Sequence, residues 1–351
     1  MQKGSSALVY PNEIPIVLIS DNNYLPYTSV TIQSIVENAS PHRYYAFFIL
    51  HKEISNESME MLSKQVAAYK QFSVTFIDVS DQLDWKSFFI SKQYPVETWF
   101  RLLIPDLLHK YEKVIYIDGD MIACTDIGEL FDIDLKDKLL AAARDIDAVN
   151  WFYGSKASKK VIGYRNSFPV LKNTGDYFCT GLSVFNIALF REIMPQKKLL
   201  EIAMSNEWDF LDQDVLNIAS EGKVHFLSWH WGFYNTRNTE FFPVEILDKY
   251  TQASEAPKII HYVGDKPWKT VFYIPYFEQF WKYATRTPFI DIIVKRMGIS
   301  KSISLKEIVV ARILKKKFDF KFIVRCLAAI LFRSRLAKKT ESDGMSRLTK
   351  K

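Results

Sequence analysis

Two carboxylates separated by one glycine follow an apolar run: Val114-Ile-Tyr-Ile-Asp-Gly-Asp-Met-Ile-Ala123 sets Asp118 and Asp120 directly after a strand-like stretch. On extended backbone, residues i and i+2 point to the same side, so the pair can converge on one cation or on phosphates bound to it. Gly119 between them offers no side chain to obstruct a ligand. Carboxylate oxygens suit Mg²⁺ or Mn²⁺, and either ion would neutralise a diphosphate leaving group.

Alone, Asp-x-Asp is unspecific, since it arises by chance in many loops. Its main competitor is the aspartyl-phosphate phosphatase pattern, in which the first Asp after a strand is the nucleophile and the second an acid/base. That pattern usually opens a chain and has Thr or Val two places past the second Asp, where Ile122 stands here. Further along, Ile259-Ile-His-Tyr-Val-Gly-Asp-Lys-Pro-Trp268 ends a strand in His261, Gly264 and Lys266. A histidine there is most often a satisfied structural residue. With phosphate-friendly neighbours it reads instead as the third ligand of the carboxylate pair, with Lys266 meeting a phosphate and Gly264 letting backbone approach it. Leu211-Asp-Gln-Asp-Val-Leu-Asn217 places Asp212, Gln213 and Asp214 at a helix start, where acids also serve as plain caps.

These groups need a scaffold. The first half alternates short apolar strands with amphipathic helices, the pattern of a mainly parallel sheet flanked by helices. Strands are expected at Ile14–Ser20, Tyr45–Leu50, Ser73–Asp78, Lys113–Asp118 and Leu139–Arg144. Helices are expected at Ser29–Asn38, at Glu57–Tyr69 behind a Ser55/Asn56 start signal, and at Thr98–Leu107, which tolerates Pro105 only near its end. In such sheets ligands bind beyond the carboxyl ends of the strands. Asp21, Asn23, Asp118, Asp120 and Asp145 all fall there; any one alone is an ordinary turn residue, but five together mark a site.

In order, these pieces resemble glycosyltransferase family 8, the retaining galactosyl- and glucosyltransferases that include bacterial lipopolysaccharide enzymes and glycogenin. The resemblance spans roughly residues 14 to 285 and rests on Ile19-Ser-Asp-Asn-Asn-Tyr24, Thr98-Trp-Phe-Arg-Leu102, the carboxylate pair, the Asp-Gln-Asp segment and the His261 segment. It implies a GT-A type fold, Rossmann-like with a mixed, mainly parallel sheet. It also implies transfer of galactose or glucose from a UDP-sugar to a glycan or lipid-linked saccharide, as in lipopolysaccharide or other surface polysaccharide synthesis. By the same resemblance, Asp21, Asn23 and Tyr24 form the uridine turn, while Arg101 and Asp145 reach the donor sugar and its phosphate. Asp118, Asp120 and His261 hold Mn²⁺ or Mg²⁺, and Gly264 and Lys266 take the diphosphate. Gln213 with Asp212 sits by the anomeric carbon, and Gly119 and Gly181 complete the donor site. Two departures stand out: Cys179-Thr180-Gly181 replaces the family's usual Asn-Ala-Gly, and the lysine comes one residue early after the glycine. Retention through front-face attack is expected, because Gln213 is a poor nucleophile. Two other readings stay open: a catalytically inactive glycan-binding relative, and another metal-dependent nucleotide-sugar or phosphate enzyme.

The whole chain has 351 residues, 48% of them hydrophobic and 25% charged, enough for one large core. Cys124, Cys179 and Cys326 show no paired spacing, which fits a reducing compartment. Met1 to Pro11 lacks the charged start and apolar run of a secretory signal. Charge is uneven: residues 291–351 hold seventeen Lys or Arg against five acidic residues, while the chain as a whole is +6. The expected division is a catalytic domain at 1–285 and a basic amphipathic helical tail at 286–351, with Thr340 to Lys351 disordered. Cys326 to Phe332 is far short of the ~20 apolar residues of a membrane span, so the tail is expected to lie on an anionic membrane. That puts the protein in the cytoplasm at the inner face of the cell membrane. A helical cap with a solvated basic face is the bland alternative. No nucleic-acid module accompanies the charge, and a nucleic-acid partner is not expected.

Overall fold

Strand β1 (Ile14–Ile19) is flanked by two parallel partners, β2 (Tyr45–His51) and β4 (Lys113–Ile117), and β3 (Phe72–Asp78) pairs with the far side of β2. The computed structural model describes residues 13–89, 94–148, 176–235, 239, 242–269 and 274–297. The expected tail beyond residue 297 lies outside them.

Beyond β4 the direction changes. Strand β7 (Phe178–Asn186) inserts antiparallel between β4 and β6 (Leu140–Arg144), and β8 (Val224–Phe226) pairs parallel to β6. The order is β3-β2-β1-β4-β7-β6-β8. Both faces of this sheet are buried, as its near-continuous apolar strands require. Ile16 and Leu18 face one core with Ile115 and Ile117, while Val17, Val114 and Tyr116 face the other. A smaller sheet is made by β5 (Met121–Ala123), β9 (Phe233–Tyr234) and β10 (Ile259–His261), with β10 in the middle.

Among the described residues the helices include α1 (Leu25–Asn38), α2 (Asn56–Ala67), α3 (Ile104–Leu107), α4 (Ile187–Ile193), α5 (Gln196–Met204), α6 (Asp212–Ala219), α7 (Val244–Glu255), α8 (Phe277–Ala284) and α9 (Ile290–Arg296). Helix α1 begins a turn earlier than its apolar periodicity suggests, because Pro26 sits in its first turn, where the fixed φ and missing N–H cost nothing. Helix α2 starts behind Ser55, whose hydroxyl accepts from the Ser58 N–H, as its start signal predicts. The single helix expected over Thr98–Leu107 divides into a 3₁₀ segment, Val96–Leu103, and α3. Pro105 explains the break: its ring would strike the carbonyl four residues back in a continuous α-helix, so the chain restarts with the proline in the new first turn.

Helix α9 packs through Ile293, beside Phe289, into the same core as Tyr27 and Val30 of α1. Among the described residues no helix is long and apolar enough to cross a membrane.

Candidate active site

Parallel β1, β4 and β6 deliver Asp21, Asp118 and Asp145 to one edge of the sheet, just past their carboxyl ends. Because β7 runs antiparallel, it contributes its beginning there instead: Cys179, Thr180 and Gly181. The small sheet supplies the last wall. Antiparallel pairing sets His261 of β10 opposite Met121, next to Asp120, and the Tyr262 N–H donates to the Asp120 carbonyl at 3.1 Å. The result is a cavity of about 510 Å³, lined among others by Asp21, Asp118, Asp120, Gln213, His261 and Lys266. That volume suits a small-molecule or cofactor ligand.

Inside it, one ligand atom each from Asp118, Asp120 and His261 lie within 4.8 Å of one another. His261 Nε2 is 3.3 Å from Asp120 Oδ1 and 4.0 Å from Asp118 Oδ2. The set fits a divalent cation on two counts. Asp120 Oδ1 is buried yet accepts no hydrogen bond, an arrangement that is costly unless something else meets it. Gly181 also leaves the space open: a Cβ there would stand 2.6 Å from Asp118 Oδ2 and 3.0 Å from His261 Cε1. Charge is concentrated here. Burial works against ionising Asp120, but Lys266 and His261 hold its carboxyl well below the usual range. Burial also opposes a charge on His261, yet the Asp120 carboxylate outweighs it and the imidazole is pushed up to about 10.

Behind this group lies Arg101, buried. Its Nη2 donates to Asp118 Oδ1 at 2.9 Å and to Tyr116 Oη at 2.9 Å, and its Nη1 donates to Thr180 Oγ1 at 2.7 Å and to Asp212 Oδ2. The Tyr116 hydroxyl adds a 2.5 Å bond to the same Asp118 oxygen. Asp118 Oδ1 is thus tied from behind, which leaves Oδ2 toward His261. Burial raises the Asp212 carboxyl to about 6 despite the guanidinium beside it.

Gln213 is fixed from both ends. Its Oε1 accepts the Thr180 N–H at 3.1 Å, and its Nε2 donates to Asp145 Oδ2 and Tyr177 Oη, each at 3.3 Å. Asp145 also accepts from the Tyr234 hydroxyl at 2.9 Å and from the Ala148 N–H at 2.9 Å. Just before α6, buried Leu211 holds φ +50° and ψ −122°, a conformation that costs a side-chain-bearing residue on the order of 1–3 kcal/mol. Tight packing of its side chain sustains that turn, and the turn aims Asp212 and Gln213 at the cavity.

Most residues singled out in the sequence meet here: Asp21, Tyr24, Arg101, Asp118, Gly119, Asp120, Asp145, Gly181, Asp212, Gln213, His261, Gly264 and Lys266 all line the cavity. Asn23 does not. It is exposed, and its carbonyl accepts from Arg296 of α9. Gly119 has a further reason to be glycine, since a Cβ there would collide with Thr28 Oγ1 of α1. Gly264 takes φ +83°, a turn conformation that glycine adopts freely. Lys266 bonds the Asp120 carboxylate and, at 2.5 Å, the Tyr262 carbonyl. Sequence reasoning missed Tyr94, Phe210, Tyr234 and Lys269, which also line the cavity. Only Lys269, three places past Lys266, carried a readable signal, a second cation in the same turn.

Known proteins bear on this arrangement. The model of the family described as glycosyl transferase family 8 matches residues 15–271. A Haemophilus influenzae protein is 31% identical over 226 residues, covering 63% of each chain. The lipopolysaccharide 1,3-galactosyltransferase of Salmonella typhimurium is 26% identical over 276 residues, covering 76% of this chain and 77% of its own. Among solved structures, the apo form of the bifunctional glycosyltransferase WbbM superposes with a TM-score of 0.75 at 29% identity, over 84% of this chain and 53% of that one. The chain therefore spans less than two thirds of the length of the Haemophilus relative and about half of WbbM.

Proposed function

The chain belongs to glycosyltransferase family 8 and has a GT-A type α/β fold, and on that premise we propose that it is a retaining, cation-dependent hexosyltransferase. The donor is a UDP-sugar, UDP-galactose or UDP-glucose. The acceptor is a glycan or lipid-linked saccharide of the kind used in surface polysaccharide synthesis, a reading supported by the Salmonella relative's name. One observation carries the proposal: ligand atoms from three separated residues, Asp118, Asp120 and His261, converge on the wall of a cavity fit for a nucleotide sugar. These three residues would hold Mn²⁺ or Mg²⁺, which would supply positive charge against a departing diphosphate.

The protein's own groups do the rest. Asp21 and Tyr24 hold the uridine end, with Tyr24 fixed by a 2.5 Å bond from its N–H to Asp21 Oδ1. Lys266 and the turn at Gly264 take the diphosphate. Retention needs either a sugar–carboxylate adduct or attack on the face from which the diphosphate leaves. Asp212 is engaged by Arg101, while Asp214 accepts from Tyr177 and the Phe210 N–H, and Gln213 is an amide. Front-face attack fits these residues. The bond from anomeric carbon to phosphate oxygen breaks, the acceptor oxygen bonds that carbon, and the hydroxyl proton passes to the diphosphate. Gln213 orients the sugar, and Arg101 positions Asp118.

Beyond the site, the proposed catalytic domain takes in α9, because Phe289 and Ile293 belong to its core, so its end shifts from residue 285 to about residue 297. The basic residues that follow are proposed to hold the enzyme on the anionic inner face of the cell membrane. Sedimentation of the full chain with anionic but not neutral vesicles checks this.

A donor screen reading Mn²⁺-dependent UDP release tests the central proposal. Release from UDP-galactose or UDP-glucose, lost in Asp120→Ala, is the expected result, with the anomeric configuration of the product retained by NMR. Release from no nucleotide sugar sinks the enzyme reading. A sugar adduct trapped on Asp212 or Asp214 sinks front-face attack.

A further inference from the structure

His261 presents Nε2 to the carboxylates, and its other nitrogen faces a sulfur: Nδ1 lies 3.9 Å from Sγ of Cys179. The thiol is itself fixed, since it is buried at the start of β7 and accepts the Gly181 N–H at 3.4 Å. Among the described residues, Sγ is a polar atom within reach of Nδ1, and the tautomer decides which of the two donates. An imidazole that offers a lone pair at Nε2 must carry its proton at Nδ1, and the partner of that proton sets both tautomer and ring angle. The Tyr234 ring stands edge-on to the imidazole, centroids 5.2 Å apart, and limits its tilt.

We propose that Cys179 is the positioning residue of His261, its sulfur accepting the Nδ1–H so that Nε2 stays aimed between Asp118 and Asp120. The inference rests on the cation site proposed above and extends it to a residue behind the ligands. A second feature agrees with it: Asp120 Oδ1, 3.3 Å from Nε2, is buried and meets no hydrogen-bond donor of good geometry, as a ligand atom awaiting a cation would. A space-filling role alone would be served equally by any small apolar side chain.

The test titrates Mn²⁺ with UDP into the full chain and its Cys179→Ala, Cys179→Val and Cys179→Ser variants, following free Mn²⁺ by electron paramagnetic resonance and folding by Tm. Loss of the acceptor in the Ala and Val variants should weaken Mn²⁺ binding about tenfold or more. The Ser variant, which keeps an acceptor, should recover most of that loss, and Val, which fills the site without an acceptor, should not. Equal affinity across the set overturns the proposal, as does a Ser variant no better than Val, or a loss of affinity that merely follows Tm. A native chain that binds no Mn²⁺ sinks the cation site itself, and this inference with it, a result distinct from native binding that the variants leave unchanged.

Discussion

Arg101 and Asp212 form an ion pair inside the protein, with side chains 6% and 3% exposed, and the same guanidinium reaches Asp118. Removing one member of a buried pair leaves the other uncompensated, at a cost of about 3–5 kcal/mol. Arg101→Met is therefore expected to lower stability by that order at neutral pH and to release Asp118, so that Mn²⁺ affinity falls too. Adding Asp212→Asn should return part of the stability, because the stranded charge is gone, but none of the Mn²⁺ affinity, because Asp118 stays untethered. Urea unfolding and Mn²⁺ titration of the two variants separate these effects. Equal stability of the single and double variants would remove the buried-charge account.

Gly181→Ala is expected to act on cation binding. The added methyl would stand 2.6 Å from Asp118 Oδ2, 2.8 Å from Met121 Cε and 3.0 Å from His261 Cε1, so two of the three ligands must shift. Misplaced ligands should reduce Mn²⁺ affinity by more than roughly tenfold. Calorimetric titration measures it, and unchanged affinity would show that the ligands lie farther from Gly181 than described.

Much of this site was legible in the sequence because a strand ending in carboxylates leaves a plain mark: apolar alternation stops and polar residues begin, as at Ile117 to Asp118 and Ile19 to Asp21. What could not be read came from contacts distant along the chain. Arg101 looks like a group that reaches a donor, and four partners from three separate segments of the chain also engage it: Tyr116, Asp118, Thr180 and Asp212. The antiparallel insertion of β7 leaves no local signal either, since its apolar run fits either direction, and it is this reversal that brings Cys179 to His261. Asn23 sits in the right turn but faces outward, a matter of one residue's orientation.

Gly119 offers a check on that distinction. With its missing Cβ set against Thr28, Gly119→Ala should cost about 1–3 kcal/mol of stability through overpacking. Thr28→Ala in the same chain removes the hydroxyl that the new methyl would strike and should recover part of it. Thermal or urea unfolding reports both. If the double variant is no more stable than Gly119→Ala, contact with Thr28 is not the reason for glycine at this position.

The pH dependence of stability should point to Asp214. Burial pushes its carboxyl up to about 7 from an ordinary 3.8, against the opposing hydrogen bond from the Phe210 N–H. The folded chain keeps a proton there that the unfolded chain gives up, so between about pH 4 and 7 the native state binds more protons. Stability must then fall as pH rises through that window and level off above it, by up to on the order of 4 kcal/mol from this group. Asp212, raised to about 6, slopes the same way, so the informative quantity is the difference between proteins. Asp214→Asn mimics the protonated acid, since its amide can donate to the Tyr177 oxygen and accept from Phe210 N. It should flatten the slope and leave the variant more stable than the native chain at pH 8 and about equal at pH 4.5. Urea unfolding of both proteins across that range decides it, and parallel curves would mean that Asp214 is ionised in the fold at neutral pH.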